Sequence, residues 1–297
     1  MPVEIGINPI TWSNDDMPEL GGEISLDTCL RETRAAGYAG TELGGKFPRT
    51  PAVLGPILAG HGLKLVSGWL DGRIRERGVA EEFEAALPHL TLLRDLGCTR
   101  CVYADTSGGR HGDIANPASH RPQLADDEWR GYGRRITELA ERMAEFGVGM
   151  AYHHHIGTIV QTELEIDRLM AATGAAVGLL FDTGHCRFAG ADPCTVLQRH
   201  LSRVVHVHCK DVRPDVLARV LAEDASFMRA VLEGVFTVPG DGDIDFGDVL
   251  RRLSDRGYEG WLVVEAEQDP RVAIPLTYAT LGFNNLADKA SKAGLLF

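Results

Sequence analysis

Residues 147–155 read Gly-Val-Gly-Met-Ala-Tyr-His-His-His, a glycine stop, a short apolar run and a cluster of histidines at the end of that run. The glycine closes an amphipathic segment, residues 129–146, so the order is helix, glycine, strand. Glycine just past a helix adopts the left-handed cap that helix ends prefer. The same order recurs along the chain. Helical segments are predicted at residues 26–36, 53–59, 81–96, 166–172 and 249–256, each closed at or near a glycine. The predicted strands that follow are 39–43, 63–66, 101–104, 177–181 and 261–264, rich in Val, Leu and Ile as covered parallel strands are. With residues 3–7 and 203–207, the count is eight strands. Alternation of this kind predicts an α/β fold, a parallel (β/α)8 TIM barrel, as one domain over residues 1–297. A doubly wound open sheet is the alternative, but no G-x-G-x-x-G turn follows the first strand.

Chemistry collects at the carboxyl ends of these strands, which share one mouth in a parallel barrel. The fifth strand ends in His153, His154 and His155, the sixth in Asp182 with His185 three residues on. The seventh carries His206 and His208, followed by Lys210, and the eighth ends in Glu265 with Glu267 beyond. A lone histidine near a strand is usually a packing residue; four strands ending alike is a different matter. Alternation puts His153 and His155 on one side and His154 on the other, and pairs His206 with His208. His208, nearer the carboxyl end, is the better ligand of the two. His185 falls in the loop beyond Asp182, where it can meet a substrate. A mixed nitrogen and carboxylate shell with open positions suits a catalytic divalent metal. Such an ion favours chemistry beside a carbonyl: isomerisation, epimerisation or dehydration of a polyhydroxy ketone. Glu42, ending the second strand, is expected to contact substrate or to pair with Lys46.

Composition narrows the alternatives. The apolar fraction is 44% and the mean hydropathy −0.09, values of a soluble globular protein. No stretch approaches a membrane span, and the amino-terminal residues lack a signal-like pattern, so the expected location is the cytoplasm. A net charge of −12 and a pI near 5.4 disfavour a nucleic-acid partner, including the abasic DNA cut by some metal-dependent barrels. Cys98 and Cys101 form a C-x-x-C without a partner pair, at the start of an apolar strand, and read as core. Residues 105–126 and 11–22 read as long loops at the functional end. The segment 276–286 is a candidate helix to cap the barrel bottom or to meet a second subunit in a homo-oligomer.

Several longer segments carry a resemblance: residues 6–18, 42–48, 66–69, 151–158, 181–185, 205–214, 237–242 and 260–269. On them the chain resembles the xylose isomerase-like, or sugar phosphate isomerase/epimerase, superfamily of barrels, and within it the inosose dehydratases of inositol catabolism. The resemblance covers nearly the whole chain. It implies removal of water from scyllo-inosose, a polyol ketone, to give a trihydroxycyclohexane-dione, with ketose epimerisation as the alternative. It implies a metal held by Asp182, His208 and Glu265, with His153 where related barrels carry a glutamate; His155 is the other strand-five candidate. Mn²⁺ or Co²⁺ is the implied metal, and glutathione a further implied cofactor. His185, His155 and Lys210 are the expected catalytic groups. Asn8, Glu42, Trp69, His111 and Glu267 are the expected substrate contacts.

Overall fold

Eight parallel strands close a barrel in the computed structural model, which describes residues 3–296. They are β1 (Glu4–Ile7), β2 (Gly40–Leu43), β3 (Lys64–Gly72), β4 (Arg100–Asp105), β5 (Gly149–His153), β6 (Val177–Asp182), β7 (Val204–Cys209) and β8 (Trp261–Val264). Each pairs with the next in chain order, and β8 returns to β1 through Glu4↔Trp261 to Ile7↔Val264. The barrel expected from the sequence is therefore the one observed.

The helices between the strands are α1 (Leu26–Ala36), α2 (Pro51–Gly60), α3 (Val79–Asp95), α4 (Trp129–Phe146) and α5 (Glu163–Ala172). After β6 come α6 (Thr183–Phe188) and α7 (Pro193–His200), after β7 α8 (Pro214–Ala222), α9 (Phe227–Leu232) and α10 (Phe246–Asp255), and after β8 α11 (Pro275–Lys292). Local chemistry sets their ends. Ser25 accepts from the Thr28 N–H to start α1, and Gly37 ends it at φ 109°. Thr162 and Glu165 form a reciprocal capping box on α5. Each cap of this type is worth about 1 kcal/mol.

Alternation along the strands divides the core in two. Ile5, Leu65, Tyr103, Met150, Tyr152, Phe181, Val207 and Leu262 face outward and are buried with the helices in the main core. Val102, Ala151 and Leu180, with Trp69 and Val205 against them, form a small separate cluster inside the barrel. The β6–β7 register shifts between Leu179 and Leu180, a bulge that pairs Leu180 with His206 and Asp182 with His208. Both histidines of β7 are buried at this end of the barrel.

Three features depart from the sequence expectation. β3 runs on to Gly72, well beyond residue 66, and so carries Trp69 on a strand. α11 does not cap the barrel bottom; it packs on α1, α10, β1 and β8, and Ala279 O accepts from Tyr38 Oη at 2.9 Å. The seam where β8 meets β1 presents Ile5 and Leu262 outward, and α11 is the element that keeps them dry. Finally, Asp211–Val212 and Phe236–Thr237 form an antiparallel pair. With α8 and α9 they build a second apolar cluster, including Ile156, Phe188, Phe227 and Phe236, that roofs the strand ends.

Candidate active site

Metal ligands are best recognised by what their atoms lack. Asp182 Oδ2 and His208 Nδ1 are buried, and neither makes a well-aligned hydrogen bond. They stand 3.5 Å apart, and Glu265 Oε2 lies 2.5 Å from the same nitrogen. His153 Nε2 is 3.8 Å from Asp182 Oδ2. One ligand atom each from His153, Asp182, His208 and Glu265 lies within 4.8 Å of all the others. Unsatisfied buried lone pairs aimed at one point cost free energy unless a cation fills it, so these four residues fit a divalent metal.

Each ligand is held by its own element. His153 Nδ1 is 2.7 Å from His154 O, a contact that puts its proton on Nδ1 and leaves the Nε2 lone pair free to take a metal. Asp182 caps α6: its Oδ1 accepts from the His185 N–H at 2.7 Å, which frees Oδ2. His154 turns away from the ligands, as alternation predicts, and its Nε2 accepts from the Asp182 N–H at 3.2 Å.

A second cluster sits beside the first. His155 and His185 rings are 3.9 Å apart by centroid, and both Nε2 atoms approach Glu267 Oε1, at 4.0 and 3.9 Å. The Lys210 ammonium lies 2.9 Å from His185 Nε2, 2.6 Å from Glu267 Oε2 and 2.7 Å from Glu265 Oε1. His155 Nδ1 faces Ile156 O at 2.8 Å, so its Nε2 carries the free lone pair. His185 is in α6, not in a loop, and is fully buried.

The roof explains the electrostatics. Phe227 stands 5.0 Å from His155 and 5.7 Å from His185, and Phe236 5.3 Å from His185. Burial, with neighbouring His and Lys charges, holds His153, His155 and His185 well below the usual imidazole range. Burial, reinforced by Glu265, pushes Glu267 up to about 7 against the pull of Lys210. Burial also works against Glu265, but His208 and Lys210 outweigh it and bring that carboxyl down to about 2. Lys210 stays charged because Glu265, Glu267 and Asp182 overcome its own desolvation.

Trp69 flanks this cluster, 5.6 Å from His153 and 5.4 Å from His155. His111, from the long β4–α4 loop, lies 5.8 Å from His155 and 6.3 Å from Trp69. Both are only partly buried, so they stand at the mouth, where a substrate contact is expected. Glu42 and Asn8 lie against the ligand set instead: half-buried Asn8 donates to Glu42 Oε2 at 2.8 Å and to Glu265 Oε2 at 3.2 Å. Glu42 is buried, 2% exposed, and its carboxylate accepts from Asn8, Ser67, His206 and His208, so protein donors rather than open space surround it. It does not pair with Lys46, whose ammonium donates to Gly21 O, Gly22 O and Ile24 O. Sequence reasoning missed Ser67 and the aromatic roof. The alternation of β3 could have suggested Ser67; Phe227 and Phe236 carry no motif.

A family model described as xylose isomerase-like TIM barrel matches residues 30–287. The chain belongs to this family. It is 63% identical to the rhizopine catabolism protein MocC of Rhizobium meliloti, over 99% of this chain and 90% of that protein. It is 44% identical to an inosose dehydratase of Geobacillus thermodenitrificans, over 93% of this chain and 94% of that one. Among solved structures, the IolI protein with a bound zinc atom shares the fold at TM-score 0.69 and 17% identity, covering 99% of both chains. Among the described residues, no helix is long and apolar enough to cross a membrane.

Proposed function

We propose that this chain is a metal-dependent dehydratase that removes water from scyllo-inosose to give a trihydroxycyclohexane-1,2-dione. The observation that carries the reading is the pairing of two clusters under one roof: a four-residue ligand set, and beside it His155, His185, Lys210 and Glu267. The 44% identity to an inosose dehydratase over nearly the full chain supports the choice of substrate. A divalent ion at His153, Asp182, His208 and Glu265 would supply the positive charge that acidifies the carbon beside a ketone. Two imidazoles in that set favour Mn²⁺ or Co²⁺ over Mg²⁺ or Ca²⁺.

The chain's own groups then divide the proton transfers. His155 Nε2, unprotonated and free, accepts the proton from the carbon next to the ketone. His185 is neutral, so the proton that the hydroxyl on the following carbon takes as it departs as water comes from the Lys210 ammonium at its Nε2, relayed through the imidazole. The remaining enol tautomerises to the dione. Glu267 holds both imidazoles in register and offers a carboxyl oxygen to a ring hydroxyl. Trp69 and His111 wall the ring at the mouth. Phe227 and Phe236 keep bulk water off the imidazoles.

The test is to incubate metal-loaded protein with scyllo-inosose and, separately, with ketohexoses. Dione absorbance from inosose alone is the expected result; epimerised ketohexose without dione would replace this reading with a ketose epimerase. Repeating the assay with and without glutathione tests that implied cofactor. The 63% identity to a rhizopine catabolism protein favours a second reading, in which the same dehydration serves rhizopine breakdown. Growth of a deletion strain on rhizopine and on inositol separates the two.

A further inference from the structure

Beside the ligand set lies a buried carboxylate held entirely by protein donors. Glu42 Oε1 accepts from His206 Nε2 at 2.9 Å, His208 Nε2 at 3.2 Å and Ser67 Oγ at 2.5 Å. Its Oε2 accepts from Asn8 Nδ2 at 2.8 Å. The same Asn8 Nδ2 also donates to Glu265 Oε2 at 3.2 Å. One buried group is thus tied directly to His208 and, through one amide, to Glu265.

We propose that Glu42 is the positioning residue of the metal centre, fixing which nitrogen of His208 faces the metal and, through Asn8, how Glu265 is turned. The inference rests on the ligand set described above. An imidazole offers the metal a lone pair on one nitrogen only when the other carries the proton. His208 Nδ1 is the nitrogen beside Asp182 Oδ2 and Glu265 Oε2. Its proton therefore belongs on Nε2, and Glu42 is the acceptor that keeps it there. Carboxylates behind metal-bound histidines do this work elsewhere, and removing them typically costs about 10- to 100-fold in metal affinity. The Ser67 hydroxyl, the His206 ring and the Asn8 amide anchor the carboxylate from three sides, so it has little freedom to follow the metal instead. Glu42, His206 and His208 are also close enough to form a second metal cluster. Ser67 and Asn8 argue against that, because they donate to both carboxylate oxygens, and Oε1, the atom nearest both imidazoles, already has three donors.

The experiment measures Co²⁺ affinity by chelator competition for the wild type, Glu42→Gln and Asp182→Asn, alongside the visible Co²⁺ spectrum and inosose KM at saturating Co²⁺. The wild type is expected to bind one ion per chain and Asp182→Asn none. Glu42→Gln is expected to bind about 10- to 100-fold more weakly with an altered Co²⁺ spectrum and an unchanged KM. Wild-type affinity and spectrum in Glu42→Gln would overturn the positioning role while leaving the metal centre intact. A raised KM with unchanged affinity would return Glu42 to substrate contact, and a second ion surviving in Asp182→Asn would make it a ligand. A wild type that binds no ion would remove the metal centre itself. Should Glu42→Gln fail to fold, long-range proton–nitrogen spectra of the Zn²⁺-loaded wild type decide: a proton on His208 Nε2 supports the inference, and one on Nδ1 overturns it.

Discussion

His153 stands where the resemblance to the wider superfamily implies a glutamate. An imidazole is a softer, neutral ligand, so the set of four carries one negative charge fewer than its carboxylate counterpart. His153→Glu is therefore expected to shift preference toward Mn²⁺ over Co²⁺ by about tenfold, roughly 1.4 kcal/mol, in paired affinity measurements. An unchanged ratio would mean His153 is not a ligand. His185 and His155 are tested differently. Either one replaced by Ala should lose about 10² to 10⁴ in kcat with metal affinity kept, because neither is in the His153, Asp182, His208 and Glu265 set, and the Lys210 ammonium against His185 and Glu267 opposes a cation in the group those two form with His155. Near-normal turnover in His185→Ala would leave Lys210 as the proton donor. That the strand-end residues would gather was legible in the sequence, because strand-end position and alternation are one-dimensional properties. The place of Glu42 was not, since its partners Asn8, Ser67 and His206 come from three other points in the chain.

Among the elements, α6 does more for the site than its six residues suggest. It starts on Asp182 and lays His185 over Lys210, and the two meet because Gly184 has no side chain. A methyl at Gly184 would stand 2.5 Å from Lys210 Cγ and 2.8 Å from Cβ, along the whole buried stem. Gly184→Ala is therefore expected to cost about 1–3 kcal/mol in stability, read by denaturant titration. It should also lower kcat by pulling the ammonium from His185, while Asp182 keeps its metal. A variant with wild-type turnover would show that the position of Lys210 is not critical. The barrel strands and most flanking helices were legible from apolar runs and glycine stops. α9 and the two-residue strands of the roof were not, because elements that short carry too few residues to show a period; nine-residue α8, with Leu217 and Val220 buried on one face, carried a period that went unread. Their apolar side chains make sense only over strand ends that have already been brought together.

At the scale of the whole molecule, one roofed barrel end concentrates imidazoles that fold neutral, and this sets how stability responds to acid. His153, His155, His185 and His206 all lie below the usual 6.5 because burial disfavours their charged form, and His154 falls to about 4. An unfolded chain protonates these rings near 6.5, so below that pH the unfolded state binds more protons and stability falls as pH falls. Glu267 acts in the opposite sense. Its burial keeps a proton in the folded state between about 7 and the ordinary 4.5, which stabilises as pH drops, and burial raises Asp15, Asp16, Asp105 and Asp211 from their lower ordinary 3.8 in the same sense, against five rings that start from 6.5. His208, held above 6.5 by Glu265 and Glu42 despite its burial, adds a constant benefit once both states are protonated. The net is proton uptake on unfolding. Metal-free protein is thus expected to lose stability at more than about 1.4 kcal/mol per pH unit below pH 6.5, the slope for a single proton. Denaturant midpoints at about pH 7, 6 and 5 measure this slope. Ordinary acid unfolding driven by surface carboxylates would instead stay flat until about pH 4.5. A flat profile between about pH 7 and 5 would mean that water reaches the strand-end imidazoles, and the roof of Phe227 and Phe236 would lose its role in keeping the site dry.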